Sequence, residues 1–554
     1  MNLDNQGLRS LSFRLSNNVV AQSSIECRNP YQLSPNAYCR VRKGVDMARV
    51  TSVVFAIVVL LFVTGVAFAH GGIGPITSSV GSAKKREGTP PTTSARGFQL
   101  KLLVNKDFPI ENPSGDITSF GELSTGVGTE PDQNTYVVLD KNPGGPDAGR
   151  DYGRHFLFQG HENGANLAYV TRINLDVHDR AHKITLLTPT NADGLTGFNF
   201  IDGSEFTGSL LFTQENGSAG GVIEITNTWP PKVRTLDGIL GKAGYEGIHP
   251  DNRGNLMIVE DVGGTSVSVN PADPNASPKA ARQPNSFVYR FVPKDPTDLS
   301  RGGRLQALQV SIDGKPVVFH ADDPFGDVHS EIQLKLHTPG TSYPVRWVTV
   351  HDTAVDGTEP FDANTAAKAH HATPFKRPEN MKFLPGSGFL TFFFGPTGDT
   401  SADAGKVESL AKRGAWGSIF RVDLNPGRAL GKISIFVLGD AQHAAFDNIS
   451  FADDHTLLAT EDRGDLLHIQ LNRLDSVWAF ATDGSATPRR LVALGRDWSA
   501  IAKGEDNEPT GIHVSSGSPS TLAMPGTEAD LFNVRAFLTK QHGNNVIWEI
   551  VPKF

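Results

Sequence analysis

A short β-type unit recurs along this chain, and it leaves few folds open. In one copy an acidic first segment, Tyr245-Glu246-Gly247-Ile248, leads to Gly254-Asn255-Leu256-Met257-Ile258-Val259-Glu260-Asp261 and then to Phe287-Val288-Tyr289-Arg290-Phe291. A second copy runs Phe446-Asp447-Asn448-Ile449, Leu457-Leu458-Ala459-Thr460-Glu461-Asp462 and Val477-Trp478-Ala479-Phe480. A third runs Pro378-Glu379-Asn380-Met381, Phe389-Leu390-Thr391-Phe392-Phe393 and Ile419-Phe420-Arg421-Val422. Each run is short, rich in β-branched or aromatic residues, and bounded by Gly, Asp, Asn or Pro, which is the pattern of strands. Long amphipathic helices are scarce; one short helix fits near residues 408–413. Repeats of four short strands predict an all-β propeller, with the first strand of each blade lining a central channel. The spacing is irregular, so loop insertions are expected at about 262–285 and 296–375.

The acids sit at the ends of these apolar runs, where desolvating a carboxylate is costly unless something compensates it. Glu246, Glu379 and Asp447 stand at the same place in their units, so all three are expected to face the axis. With Glu215, in Gln214-Glu215-Asn216, they make a candidate cluster of hard oxygen ligands, best suited to Ca²⁺. Glu162, Glu260, Asn448 and Glu508 are further candidates by their place next to similar runs. The competing reading makes several of these residues ordinary turn and strand-end groups on a solvated surface.

Residues 53–63 form a long apolar run, continuing to Ala67-Phe68-Ala69, with Arg49 before it and Met47 at a plausible start. A basic flank, an apolar core and small residues at −3 and −1 spell a secretory signal peptide cleaved after Ala69. An uncleaved anchor is the alternative, since residues 51–69 are just long enough to span a bilayer. The expected organisation is therefore an N-terminal extension plus signal peptide over 1–69 (core 47–69), a disordered linker over 70–96 and a β-propeller domain over 97–554. The mature product is expected in the periplasm or outside the cell, with no membrane attachment after cleavage. Both cysteines, Cys27 and Cys39, precede the cleavage point, which leaves no disulfide framework and no thiolate ligand. The formal charge is −8 and no Lys/Arg run forms a stripe, which argues against a nucleic-acid partner. A monomer acting on a small molecule is expected.

Taken in order, Gly160-His161-Glu162, Gln214-Glu215-Asn216, Tyr245-Glu246-Gly247-Ile248, Val259-Glu260-Asp261, Arg377-Pro378-Glu379, Phe446-Asp447-Asn448, Glu508-Pro509-Thr510-Gly511 and Gln541-His542-Gly543 resemble the PhoX-type alkaline phosphatases. That family consists of secreted six-bladed propellers, and the resemblance is scattered over roughly residues 150–550. It implies hydrolysis of phosphate monoesters with calcium in the channel. Carried over by motif, Glu215, Glu246, Glu379 and Asp447 would be metal ligands, and Arg377 would steady a bound phosphate, since a guanidinium matches phosphate oxygens with two donors. A structural ion pair is the competing role for Arg377. The chain departs from the family at the cysteine that bridges two irons: the alignment puts Asn199-Phe200-Ile201 there. That departure argues against the family's di-iron centre, leaves iron a secondary candidate, and makes this a divergent member. It also keeps two alternatives open, a calcium-dependent lactonase or esterase, and a non-catalytic propeller that calcium only stabilises.

Other chemistries find little support. No His-Glu-x-x-His spacing supports zinc, and no Gly-x-Ser-x-Gly elbow or Walker-type loop is present. Asp251-Asn252-Arg253-Gly254-Asn255 resembles part of a calcium loop but lacks the closing glutamate, and reads better as a hairpin turn.

Overall fold

The computed structural model describes residues 72–84, 88–503, 508–518 and 534–553. The signal-peptide region, both cysteines and Lys85-Arg86-Glu87 lie outside the described residues. Within them no helix is long and apolar enough to cross a membrane.

The chain is all-β in its architecture, a propeller-like ring of sheets. Among the described residues three sheets have four strands, one has five and one has ten, with two further two-stranded pairs. Six strands form the centre: Glu130–Val138, Ile201–Phe206, Tyr245–Pro250, Pro378–Phe383, Phe446–Asp453 and Pro509–Ser515. Each packs against the next in chain order, and the last packs against the first, so they close a ring. From each, the following strands step outward through antiparallel pairs, as in Ile201–Phe206, Leu210–Gln214, Gly221–Ile225 and Val233–Thr235.

Burial follows this layout. Every residue of Tyr245–Pro250 and of Leu256–Glu260 is buried, because sheets pack on both of their faces. The outer strand Val233–Thr235 has no buried residue. The core therefore lies between neighbouring sheets. One layer holds Phe392, Phe394, Phe420 and Val422, and another holds Phe156, Phe158, Phe212 and Ile223. Each such side chain contributes about 1.5–3 kcal/mol by leaving water.

The expected insertions are present. Residues 262–285 carry a small hairpin, Ser266–Val267 with Ala281–Arg282. Residues 296–375 carry the strands Gly303–Ile312 and Tyr343–Asp352 and the helices Pro324–His329, Glu331–Leu336 and Ala363–Ala369. Tyr343–Asp352 pairs with Gly303–Ile312 on one side and Leu430–Leu438 on the other. This bridge fuses two sets of strands into the ten-stranded sheet. The helix expected near 408–413 is Glu408–Ala411.

One expectation is corrected. Residues 70–96 do not form a disordered linker over their described part. Ile73 and Ile76 are buried in a core with Ala452, Leu458 and Val477. The Ile73 N–H donates to Ala452 and the Val80 N–H to Arg490. Thr93–Ser94 adds a strand to Arg489–Ala493. The Gly/Ser/Thr/Pro composition suggested a tether, but two isoleucines and a sheet edge hold the segment down. Just beyond it, Phe98–Val104 pairs with Ile547–Pro552, so strands from both ends of the chain complete the last sheet.

Candidate metal centre in the channel

The same irregularity recurs in the central strands and aims the acids. Tyr245 faces Glu260 and Ile248 faces Ile258, so Glu246 and Gly247 together oppose Val259. Asp447 and Asn448 oppose Thr460 in the same way, Asp132 and Gln133 oppose Gly160, and Asp202 and Gly203 oppose Thr213. A shift also falls at Glu379. A β-bulge turns a side chain out of the ladder, and bulges gather at functional sites. In the last central strand Thr510-Gly511-Ile512-His513 repeats the spelling of Glu246-Gly247-Ile248-His249, with threonine in place of the acid. The glycine after the acid is needed where strands meet: a Cβ on Gly203 would stand 2.0 Å from the Glu246 carbonyl oxygen.

The bulges bring carboxylates from different sheets together. Three triads form, Asp132–Glu162–Asp202, Asp202–Glu215–Glu246 and Glu246–Glu379–Asp447, each with ligand oxygens within 4.8 Å of one another. Asp202 and Glu246 each belong to two triads, so the set is continuous. Six of the seven acids are buried, and Glu215 is partly so.

Few donors compensate this charge. Gln541 Nε2 donates to Glu162 Oε1 at 2.8 Å and to Asp132 Oδ2 at 3.2 Å. Asn448 Nδ2 donates to Asp447 Oδ1 at 2.5 Å and to Asp132 Oδ1 at 3.3 Å. The Thr397 hydroxyl donates to Glu379. Among the described residues no donor reaches either buried oxygen of Asp202 or the buried Oε2 of Glu246, and the two carboxyls lie close enough to hydrogen-bond each other once one is protonated. Burial, and then the mutual repulsion of the acids, pushes Asp202, Glu246 and Glu162 well above the usual carboxylate range. Glu215, Glu379 and Asp447 are raised by burial in the same way, and Asp132 rises to about 7. Protons or cations must fill such a site, because buried like charges at this distance cannot all persist alone. The donor set fits a hard cation: carboxylate oxygens only, several of them bare.

A second set of residues rims the same end of the channel. The N–H groups of Glu215, Asp261, Thr397, Asp462 and Gln541 donate to the carbonyls of Phe200, Gly244, Arg377, Ala445 and Glu508 respectively. Glu130 pairs with Glu162 in the remaining unit. Glu130, Phe200, Gly244, Arg377, Ala445 and Glu508 thus form a collar, one residue from each central strand or the residue just before it. Arg377 Nε and Nη2 hold Asp261 Oδ2 at 2.9 and 2.6 Å, and Nη2 stands 3.4 Å from Glu379 Oε1. Its charged form is favoured by Asp261 and Glu379 against the cost of burial.

The structure thus gathers Glu215, Glu246, Glu379, Asp447 and Glu162. Asn448 lies among them, its Oδ1 accepting from Asn380 Nδ2 at 3.2 Å. Glu508 lies at the collar, 3.3 Å from His542 Nε2, and is raised by burial and by Asp462, Asp447 and Asp132. Glu260 is corrected. It points into its own sheet unit, accepting from the Phe287 N–H, the Tyr289 hydroxyl and Asn364 Nδ2, with its carboxyl raised to about 8 by burial. Its neighbour Asp261 is the residue that reaches the collar, where Arg377 holds it. Two central acids were missed, Asp132 and Asp202. Ile201-Asp202-Gly203 carries the same apolar–acid–glycine signal as Tyr245-Glu246-Gly247. Residues 251–255 form a turn whose Asp251 is taken up by the Arg253 and Asn255 N–H groups and by Arg428.

Fold and centre together define an all-β protein with a propeller-like ring of sheets and an acid-lined channel. No family model matches the chain, and no curated protein matches it. Among solved structures it is similar to a protein from Lactobacillus plantarum at 10% identity, covering 65% of this chain and 82% of that one, with a TM-score of 0.22. That score is too low for the likeness to carry any argument.

Proposed function

We propose that the chain is a six-bladed β-propeller hydrolase of the PhoX type that binds several calcium ions in its channel and cleaves phosphate monoesters. Six central strands in a closed ring support the blade number, with the ten-stranded sheet read as two blades joined by Tyr343–Asp352.

One observation carries the metal reading. Asp202 and Glu246, the two carboxylates shared between triads, are the ones that leave buried oxygens unpartnered. Shared carboxylates suit neighbouring cations, and paired cations suit phosphoryl transfer, where attacking and leaving oxygens both need neutralising. When bound, the cations would polarise the ester and acidify a water. The residues then divide the work: the triads hold the charge, Gln541 and Asn448 orient Glu162, Asp132 and Asp447, and Arg377 at the collar stands beside Glu379 to meet a phosphate oxygen. A lactonase-like site needs one cation, fewer than three linked triads can take. Phe200 at the aligned cysteine position leaves no thiolate to bridge two irons, which argues against the family's di-iron centre. Residues 1–69 support export to the periplasm or beyond, and the product is expected to act as a monomer.

A non-catalytic, calcium-stabilised propeller is the second reading, favoured by the bidentate hold of Asp261 on Arg377. Elemental mass spectrometry of the purified protein, followed by assay on a generic aryl phosphate with and without chelator, separates the two. Two or more calciums with chelator-sensitive turnover support the hydrolase. Calcium without turnover supports the scaffold, and absence of bound metal after calcium loading overturns both.

A further inference from the structure

In every unit the residue that ends the second strand, or follows it, is tied to the collar. Glu162, Glu215, Asp261, Thr397, Asp462 and Gln541 hold these places. Glu162 and Glu215 belong to the triads, Asp261 takes up Arg377, and Gln541 donates to Glu162 and Asp132. Thr397 stands in the same series with a hydroxyl in place of an acid or an amide.

Thr397 is fully buried. Its backbone is fixed by the bond from its N–H to the Arg377 carbonyl at 2.8 Å. Its hydroxyl reaches two acceptors, Glu379 Oε1 and the Phe446 carbonyl at 2.9 Å. Phe446 opens the next central strand and immediately precedes Asp447. Thr397 therefore touches two of the three strands that supply the triad Glu246–Glu379–Asp447. Arg377 Nη2 approaches the same Oε1 at 3.4 Å. With both groups on Oε1, Oε2 is left for a cation. A hydroxyl has one proton, and an ionised carboxylate is the stronger of its two acceptors. The bond is therefore strongest with Glu379 in the form that binds a cation.

Resting on the calcium reading above, we propose that Thr397 is a positioning residue of the metal centre, whose hydroxyl orients the Glu379 carboxylate toward Glu246 and Asp447 and so sets the affinity of the cation in that triad. Partners that orient a ligand from outside in this way are worth about 10–100-fold in metal affinity.

Calcium titration of the full chain after chelator treatment, by isothermal calorimetry, tests it. Thr397→Val keeps the shape and loses the hydroxyl, and should weaken one calcium by about tenfold. Thr397→Ser keeps the hydroxyl and should bind as the wild type does. Thr397→Ala, which adds no methyl, repeats the measurement should the valine variant fail to fold. In a Glu379→Gln background the valine substitution should weaken calcium no further, because the carboxylate it acts through is gone. Wild-type affinity in the valine and alanine variants, a serine variant as weak as valine, or an equal loss in both backgrounds overturns the role of Thr397 and leaves the calcium reading standing. A wild-type chain that takes up no calcium overturns both.

Discussion

Asp202 and Glu246 occupy the same bulge position on adjacent central strands, and their carboxylates meet in one triad with Glu215. Each also joins a second triad, and each has a buried oxygen that no donor among the described residues reaches. The pair is the hinge of the whole acidic set. It exists because each acid is followed by a glycine that lets the neighbouring strand come close.

Removing one shared acid should therefore disturb two cation positions at once. Asp202→Asn and Glu246→Gln are each expected to lower the calcium bound per chain and to shrink the calcium-induced rise in melting temperature. A cation at a hundredfold excess over its dissociation constant stabilises by about 2.7 kcal/mol. Elemental analysis and calcium-titrated thermal melts check this. Full calcium content in both variants would mean that the triads do not hold the ions.

Stability without metal should fall as pH rises. Asp132 is held at about 7 by burial, above its ordinary value of 3.8, and Asp202 and Glu246 are raised in the same direction. The folded state then binds more protons than the unfolded one above the ordinary value, so stability present at low pH is lost as pH climbs through about 7. Each such proton contributes a slope of about 1.4 kcal/mol per pH unit. Denaturant titrations at pH 5 to 8 in chelator should show the decline, and calcium should flatten it. A chelated protein that is more stable at pH 8 than at pH 5 would contradict the assignment.

Arg377 and Asp261 should behave as one unit. Arg377→Ala leaves a buried carboxylate without its partner, at a cost of about 3–5 kcal/mol. Asp261→Asn in the same background should recover much of the loss. Urea unfolding of the two single variants and the double variant measures the coupling. Additive effects would show that the two side chains do not depend on each other.

Ile76→Ala should destabilise the protein by about 2–4 kcal/mol, the usual cost of emptying a core site. Its side chain is 5% exposed, in the layer with Leu458 and Val477. A change of a few tenths in urea unfolding would return residues 73–80 to the status of a tether.

Several of these residues were legible in advance. Glu246, Glu379 and Asp447 could be read from recurrence alone, because each opens a unit with an acid between an apolar residue and a small or amide one. Asp202 carried the same mark in Ile201-Asp202-Gly203, but its unit lacks the acid pair at the end of the second strand. Asp132, in Glu130-Pro131-Asp132-Gln133, also had the acid between a proline and an amide, as in Pro378-Glu379-Asn380, and was overlooked. Glu260 was misread by one residue. Side chains alternate along a strand, so of Glu260-Asp261 the first turns into the sheet unit and the second reaches Arg377 at the collar. No local pattern tells which member of such a pair is paired across the ladder.

The sequence by itself determined that the chain folds into many short strands and that acids recur at fixed places among them, since strand spelling and turn residues act within a few positions of each other. Only the tertiary structure decided which acids meet. Asp132 and Asp447 are both reached by Asn448 Nδ2, although more than three hundred residues separate the two acids. Closing the ring sets that contact, and closure is a property of all the sheets at once.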